Sequence, residues 1–146
     1  MQIKATTDYA LRCVLYLAIH PGSSNAEEIG RQTGITINYT RRILQDLKKI
    51  GIVRSLQGVT GGYVLVKDPR DITILSIIEA EEQDIFLNRF MEEGAPVFWI
   101  SEKEKSSMRL YMDTLQILVK NYLHDKTVYD VLHPGEEKTG QIERIV

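Results

Sequence analysis

Residues 34–67 read GITINYTRRILQDLKKIGIVRSLQGVTGGYVLVK. Gly34 turns the chain, and Thr36 stands where a helix cap belongs. Thr40, Ile43, Leu44, Leu47 and Ile50 then recur at helical spacing, which predicts a helix to about Lys49 with that side in the core. Gly51 occupies the usual stop position. Residues 52–57 read as a strand, 58–62 as a glycine-containing loop and 63–67 as a returning strand, so a hairpin follows the helix.

Upstream, residues 6–19 predict a helix that Thr6 or Thr7 can cap, with Ala10, Leu11, Val14, Leu15, Leu17 and Ala18 on its apolar face. His20-Pro21-Gly22 ends it. Asn25 caps a short helix to about Gln32, with Glu28 in capping-box position. Helix, helix–turn–helix and hairpin in that order make a winged helix-turn-helix. The expected fold class is therefore mostly α with a small β-hairpin wing.

Downstream, Asp68-Pro69-Arg70-Asp71 is a break, and Thr73 can cap a short helix carrying Ile74, Ile77 and Ile78. Ser101 can cap a long helix over about 102–124. Met108, Tyr111, Leu115, Leu118 and Tyr122 step along it by threes and fours, and Met112, Val119 and Leu123 widen the stripe. A short chain has little core left to cover so long a face, which points to the same helix of a second copy. Thr127 can cap a last short helix ending near Leu132. The expected division is a DNA-binding domain over 1–80, an irregular aromatic-rich connector over 81–101, a dimerisation helix and terminal helix over 102–132, and a mobile tail over 133–146. The connector holds Phe86, Phe90, Phe98 and Trp99, a candidate effector pocket whose competing reading is ordinary core.

The net charge of −2 hides an asymmetry. Residues 1–70 carry ten Lys/Arg against five Asp/Glu, and residues 71–146 carry eight against fifteen. A +5 first half and a −7 second half suggest that the first half meets a polyanion. No apolar run approaches the ~18 residues of a membrane span. The N-terminus lacks the pattern of a signal peptide, since Asp8 and Arg12 interrupt its first apolar run. A single cysteine, Cys13, permits no internal disulfide and suits a cytoplasmic protein. No nucleophile–base set, phosphate loop or metal motif is present, so no enzyme is expected.

A recognition helix offers its first turns to the major groove, and here those turns carry Thr36, Asn38, Tyr39, Arg41 and Arg42. Asn can pair with adenine and Arg with guanine through two hydrogen bonds each. Thr and Tyr can hold phosphates. In the hairpin, Gly58, Gly61 and Gly62 with Gln57 and Thr60 form a loop able to approach a minor groove, and Arg54 and Lys67 flank it as phosphate partners.

Five segments carry a resemblance to a known family. They are Asp8-Tyr9-Ala10-Leu11-Arg12, Ile35-Thr36-Ile37-Asn38-Tyr39, Leu47-Lys48-Lys49-Ile50-Gly51-Ile52-Val53-Arg54-Ser55, Gly58-Val59-Thr60-Gly61-Gly62-Tyr63-Val64-Leu65 and Asp71-Ile72-Thr73-Ile74. On these the chain resembles the Rrf-two family of winged-helix transcription regulators, which includes IscR, NsrR and CymR. The resemblance implies a symmetric dimer on a pseudo-palindromic operator, with the third helix in the major groove and the wing in the minor groove. Two positions depart from the family pattern: Gln57 stands where Arg is frequent, and Arg41 where Glu is frequent. Cluster-binding relatives carry three cysteines between the short and long helices, whereas this chain has none between residues 72 and 102. The expectation is a homodimeric DNA-binding repressor without an iron–sulfur cluster or other cofactor, controlled by a small molecule or a protein partner. The rival is a winged-helix protein-interaction module that binds no operator.

Overall fold

The computed structural model describes residues 4–82 and 101–135. The connector aromatics Phe86, Phe90, Phe98 and Trp99, and the tail from residue 136, lie outside the described residues. The order is α1 (Ala5–Ile19), α2 (Ala26–Thr33), α3 (Ile37–Lys49), β1 (Val53–Leu56), β2 (Gly62–Leu65), a 3-10 turn (Pro69–Asp71), α4 (Ile74–Glu81), α5 (Glu102–Asp125) and α6 (Val128–Leu132). It is the mostly helical winged fold expected, with one antiparallel two-stranded hairpin among the described residues.

α1 is the central element, packing on α2, α3, α4, α6 and β2. Its Ala10, Cys13, Val14 and Leu17 meet Ile29 of α2, Ile43, Leu44 and Leu47 of α3, Ile77 of α4 and Val128 of α6 in one buried cluster. The short last helix thus returns to the N-terminal core. Val128 N–H donates to the Ile72 carbonyl and Ile74 N–H to the Lys126 carbonyl, which ties the end of α5 to the start of α4.

Local chemistry sets the helix starts. Asn25, Thr73, Ser101 and Thr127 accept from the backbone N–H three residues on, and Ser101–Glu104 and Thr127–Asp130 are complete capping boxes. Two starts differ from expectation. α1 begins at Ala5, and neither Thr6 nor Thr7 is its cap residue. Instead Glu82, at the end of α4, accepts from the Lys4 N–H at 3.0 Å and from the Thr7 hydroxyl at 2.7 Å. Thr36 is the cap residue of α3, but its side chain makes no capping bond. The strands are also shorter than the sequence suggests, pairing Val53 with Leu65 through to Leu56 with Gly62. On the other edge of β2, Tyr63 exchanges both backbone hydrogen bonds with Ser24, so the loop before α2 acts as a third rung.

α5 behaves differently from the rest, because none of its residues is fully buried. At 24 residues it is a rod of about 36 Å. Met112, Val119 and Leu123 are half-buried, whereas Met108, Tyr111, Leu115, Leu118 and Tyr122 are exposed. Leu110 and Ile117 are exposed as well, and they lie outside the stripe read from the sequence. No helix among the described residues is long and apolar enough to cross a membrane.

Candidate nucleic-acid interface

The helix–turn–helix angle is set where α2 passes α3. Gly34 ends α2 with φ +74°, a left-handed conformation that suits glycine. One turn earlier, Gly30 is buried, and a Cβ on it would stand 2.7 Å from Thr40 Oγ1 and 2.8 Å from the Ile35 carbonyl oxygen. The Thr40 hydroxyl donates to the Thr36 carbonyl at 3.0 Å, so the polar atom in this tight crossing is satisfied. From α1, Arg12 donates to the Thr33 carbonyl at the C-terminus of α2 while pairing with Asp8 at 2.6 Å. A cation there complements the negative end of α2.

So placed, α3 buries Thr40, Ile43, Leu44 and Leu47 and exposes Thr36, Asn38, Tyr39, Arg41 and Arg42. Asn38 and Arg41 are three residues apart and share a face. Arg41 makes no ion pair among the described residues, and Arg42 has Asp46 at 3.9 Å from its Nε. Tyr39 is about half exposed, with its ring edge-on to Tyr9 of α1 at 5.8 Å.

The hairpin is clamped to the same helix. Lys48 of α3 donates to the Ser55 hydroxyl at 2.8 Å, and the Gln45 amide reaches the Tyr63 hydroxyl at 3.4 Å. Arg54, Gln57, Gly58 and Thr60 are exposed, and Lys67 is exposed beyond the second strand. Gly61 and Gly62 are half-buried, and a Cβ on Gly62 would stand 2.6 Å from the Ser24 carbonyl oxygen. That glycine therefore also lets β2 lie against the Ser24 rung. Sequence reading missed Gly30, Arg12, Gln45 and Lys48. A glycine inside an amphipathic helix was the available signal for the first, and the others needed the tertiary contact to be seen.

Residues 3–134 match the family model described as Rrf2, iron-dependent transcriptional regulator. The regulator NsrR of Halalkalibacterium halodurans is 32% identical over 89 residues, 60% of this chain and 61% of that protein. The alignment thus spans less than two thirds of that relative's length. The structure of CymR, the global cysteine regulator of Bacillus subtilis, is similar with a TM-score of 0.73 and 25% identity, over 93% of this chain and 99% of that one. A transcriptional regulator of Listeria innocua, described as putative, is similar with a TM-score of 0.74 and 26% identity, over 97% and 92%.

The family description names iron, and the residues present here do not fit an iron–sulfur centre. The chain has one cysteine, and residues 83–100 contribute none. Cys13 is fully buried in α1, where burial first and Glu81 second push its thiol up to about 12. Cluster binding needs several thiolates, and this thiol stays protonated at neutral pH. Among the described residues no group of three or more His, Cys, Asp or Glu is placed to hold a metal ion. With the winged helix-turn-helix, the match over residues 3–134 and relatives named as regulators, the chain belongs to the Rrf2 family of transcriptional regulators.

Proposed function

We propose that this chain is a homodimeric, sequence-specific DNA-binding transcription regulator of the cytoplasm, acting as a repressor by occupying promoter DNA. One observation carries the reading: Asn38 and Arg41 stand exposed on one face of a helix whose opposite side is core, with a wing fastened to the same helix. Asn38, Arg41 and Arg42 read base edges, while Thr36, Tyr39 and Arg54 hold phosphates. Gln57, Gly58, Thr60, Gly61 and Gly62 meet the minor groove at the wing. Two copies joined along Met108, Tyr111, Leu115, Leu118 and Tyr122, flanked by Met112 and Val119, present two such heads to a pseudo-palindrome. Control comes from a small effector or a protein partner.

The test is promoter capture from the host genome, followed by affinity on the recovered site at several salt concentrations. Retention should fall steeply with salt. Arg41→Ala should cost about 1–3 kcal/mol on the recovered site and relax the preference at one base pair per half-site. Equal loss on every sequence would make Arg41 a phosphate contact. No retention at low salt would favour a protein-interaction module.

A further inference from the structure

The exposed side of α3 carries a stripe at steps of three, four and three: Asn38, Arg41, Gln45 and Lys48, all of them exposed. The first two belong to the proposed reading surface. The last two bond to the wing. Gln45 Nε2 donates to the Tyr63 hydroxyl at 3.4 Å, and Lys48 Nζ donates to the Ser55 hydroxyl at 2.8 Å. Ser55 and Tyr63 are partners across the hairpin, so both acceptors stand on one face of it. The stripe thus runs from the first turn of α3 to that face of the wing.

Tyr63 is a fixed partner. Its ring packs against the core, and its backbone exchanges hydrogen bonds with Ser24 at 3.2 and 2.8 Å. A long, exposed bond such as Gln45–Tyr63 adds little to folding. Its effect is to hold a side chain that otherwise carries much rotamer freedom. The amide has two N–H donors and a carbonyl oxygen, and Tyr63 takes one N–H. The other N–H and Oε1 have no partner among the described residues. That free pair is the one that reads adenine, donating to its N7 and accepting from its N6.

We propose that Gln45 is a further specificity-determining residue, which pairs with an adenine in the major groove from a position that Tyr63 fixes. The proposal rests on the DNA-binding reading above and deepens it. Gln45 lies four residues beyond Arg41, about 6 Å along the helix axis. At ~3.4 Å per base step, its adenine stands about two base pairs from the one Arg41 reads. Holding the amide before DNA arrives lowers the ordering cost of the contact. Lys48 is a positioning residue: its bond to Ser55 keeps the wing, and Tyr63 with it, against α3.

Wild-type affinity for the operator recovered by promoter capture is measured first. If no operator is recovered or bound, the DNA-binding reading fails and this proposal with it. Each base pair of the half-site is then varied against wild type, Gln45→Ala and Tyr63→Phe, with each fold checked by circular dichroism. Gln45→Ala should weaken the operator complex about tenfold and erase an adenine preference at one base pair per half-site. The preference that Arg41→Ala relaxes should survive in Q45A. Replacing that adenine by 7-deazaadenine, which removes only the N7 acceptor, should weaken wild type about tenfold and leave Q45A unaffected. Tyr63→Phe should keep the adenine preference but narrow it. The proposal is overturned if Q45A loses affinity equally on every sequence, since Gln45 would then only brace the wing. It is overturned equally if Q45A changes no base preference, loses one for a base other than adenine, or is weakened by 7-deazaadenine as much as wild type. Unchanged discrimination in Y63F overturns the role given to Tyr63.

Discussion

A methyl group at Gly30 would stand 2.7 Å from Thr40 Oγ1 and 2.8 Å from the Ile35 carbonyl oxygen. Two effects of Gly30→Ala oppose each other. Helix propensity alone favours alanine by about 1 kcal/mol. Overpacking against a backbone carbonyl costs about 1–3 kcal/mol. Because the carbonyl belongs to the turn that sets α3, we expect the clash to win, with a lower urea midpoint and weaker operator binding. A rise in the midpoint would mean the crossing opens freely. Glu82 gives a second prediction at this scale. Burial raises its carboxyl pKa, but the hydrogen bonds and charge of Lys4 and the Thr7 hydroxyl outweigh that and hold it below the ordinary range. A depressed folded-state pKa contributes stability that is present above the unfolded value and lost as pH falls through the folded one. Stability should therefore decline on acidification below the ordinary carboxylate range, and Glu82→Gln should flatten that decline while costing about 2 kcal/mol at neutral pH. An unchanged acid limb in E82Q would remove Glu82 as the staple of α1. Neither residue was legible in the sequence. Gly30 meets Thr40 and Ile35 only once α2 has packed on α3, and Glu82 acts on partners more than seventy positions away.

At the scale of elements, the sequence was read best where a cap is local. Asn25, Thr73, Ser101 and Thr127 all bond to a backbone N–H three residues on, so the side chain and its target are visible together. Thr6 and Thr7 looked equivalent, but neither caps α1, and its start is held instead by Glu82 at the end of α4, where no local pattern points. The stripe of α5 was legible as a stripe but not as two faces. Met112, Val119 and Leu123 are half-buried, and Met108, Tyr111, Leu115, Leu118 and Tyr122 are left exposed. Leu115 and Leu118 are 44% and 55% exposed, so the single chain forgoes the stabilisation that covering them would bring. We expect Leu115→Glu combined with Leu118→Glu to give a folded monomer by sedimentation velocity, with far-UV circular dichroism unchanged. Operator affinity should fall steeply, because one head holds half the contacts. A dimer that survives both charges would place the interface elsewhere, and the exposed Leu110 and Ile117 would be the next face to test.

For the whole molecule, the division between what the sequence discloses and what it withholds follows from distance. The winged helix-turn-helix is built from residues close in sequence and punctuated by Gly34 and Gly51, so pattern alone recovers it. The junction of Glu82 with Lys4 and Thr7 joins the two ends of the DNA-binding unit, and nothing in their sequence neighbourhoods announces it. The cofactor question draws on both kinds of signal. The count of one cysteine was plain from the start, but its burial in the core of α1 was not. A thiol pushed up to about 12 has almost no thiolate at neutral pH, and the helices packed around it leave a cluster no approach. We therefore expect protein prepared without oxygen, and supplied with iron and sulfide, to lack a visible cluster absorbance. Cys13→Ala should bind its operator equally well with and without oxygen, at a modest cost in stability from the small cavity left behind. A strong visible band that disappears in Cys13→Ala would show that α1 opens to expose its core, and the iron of the family description would then apply to this chain as well.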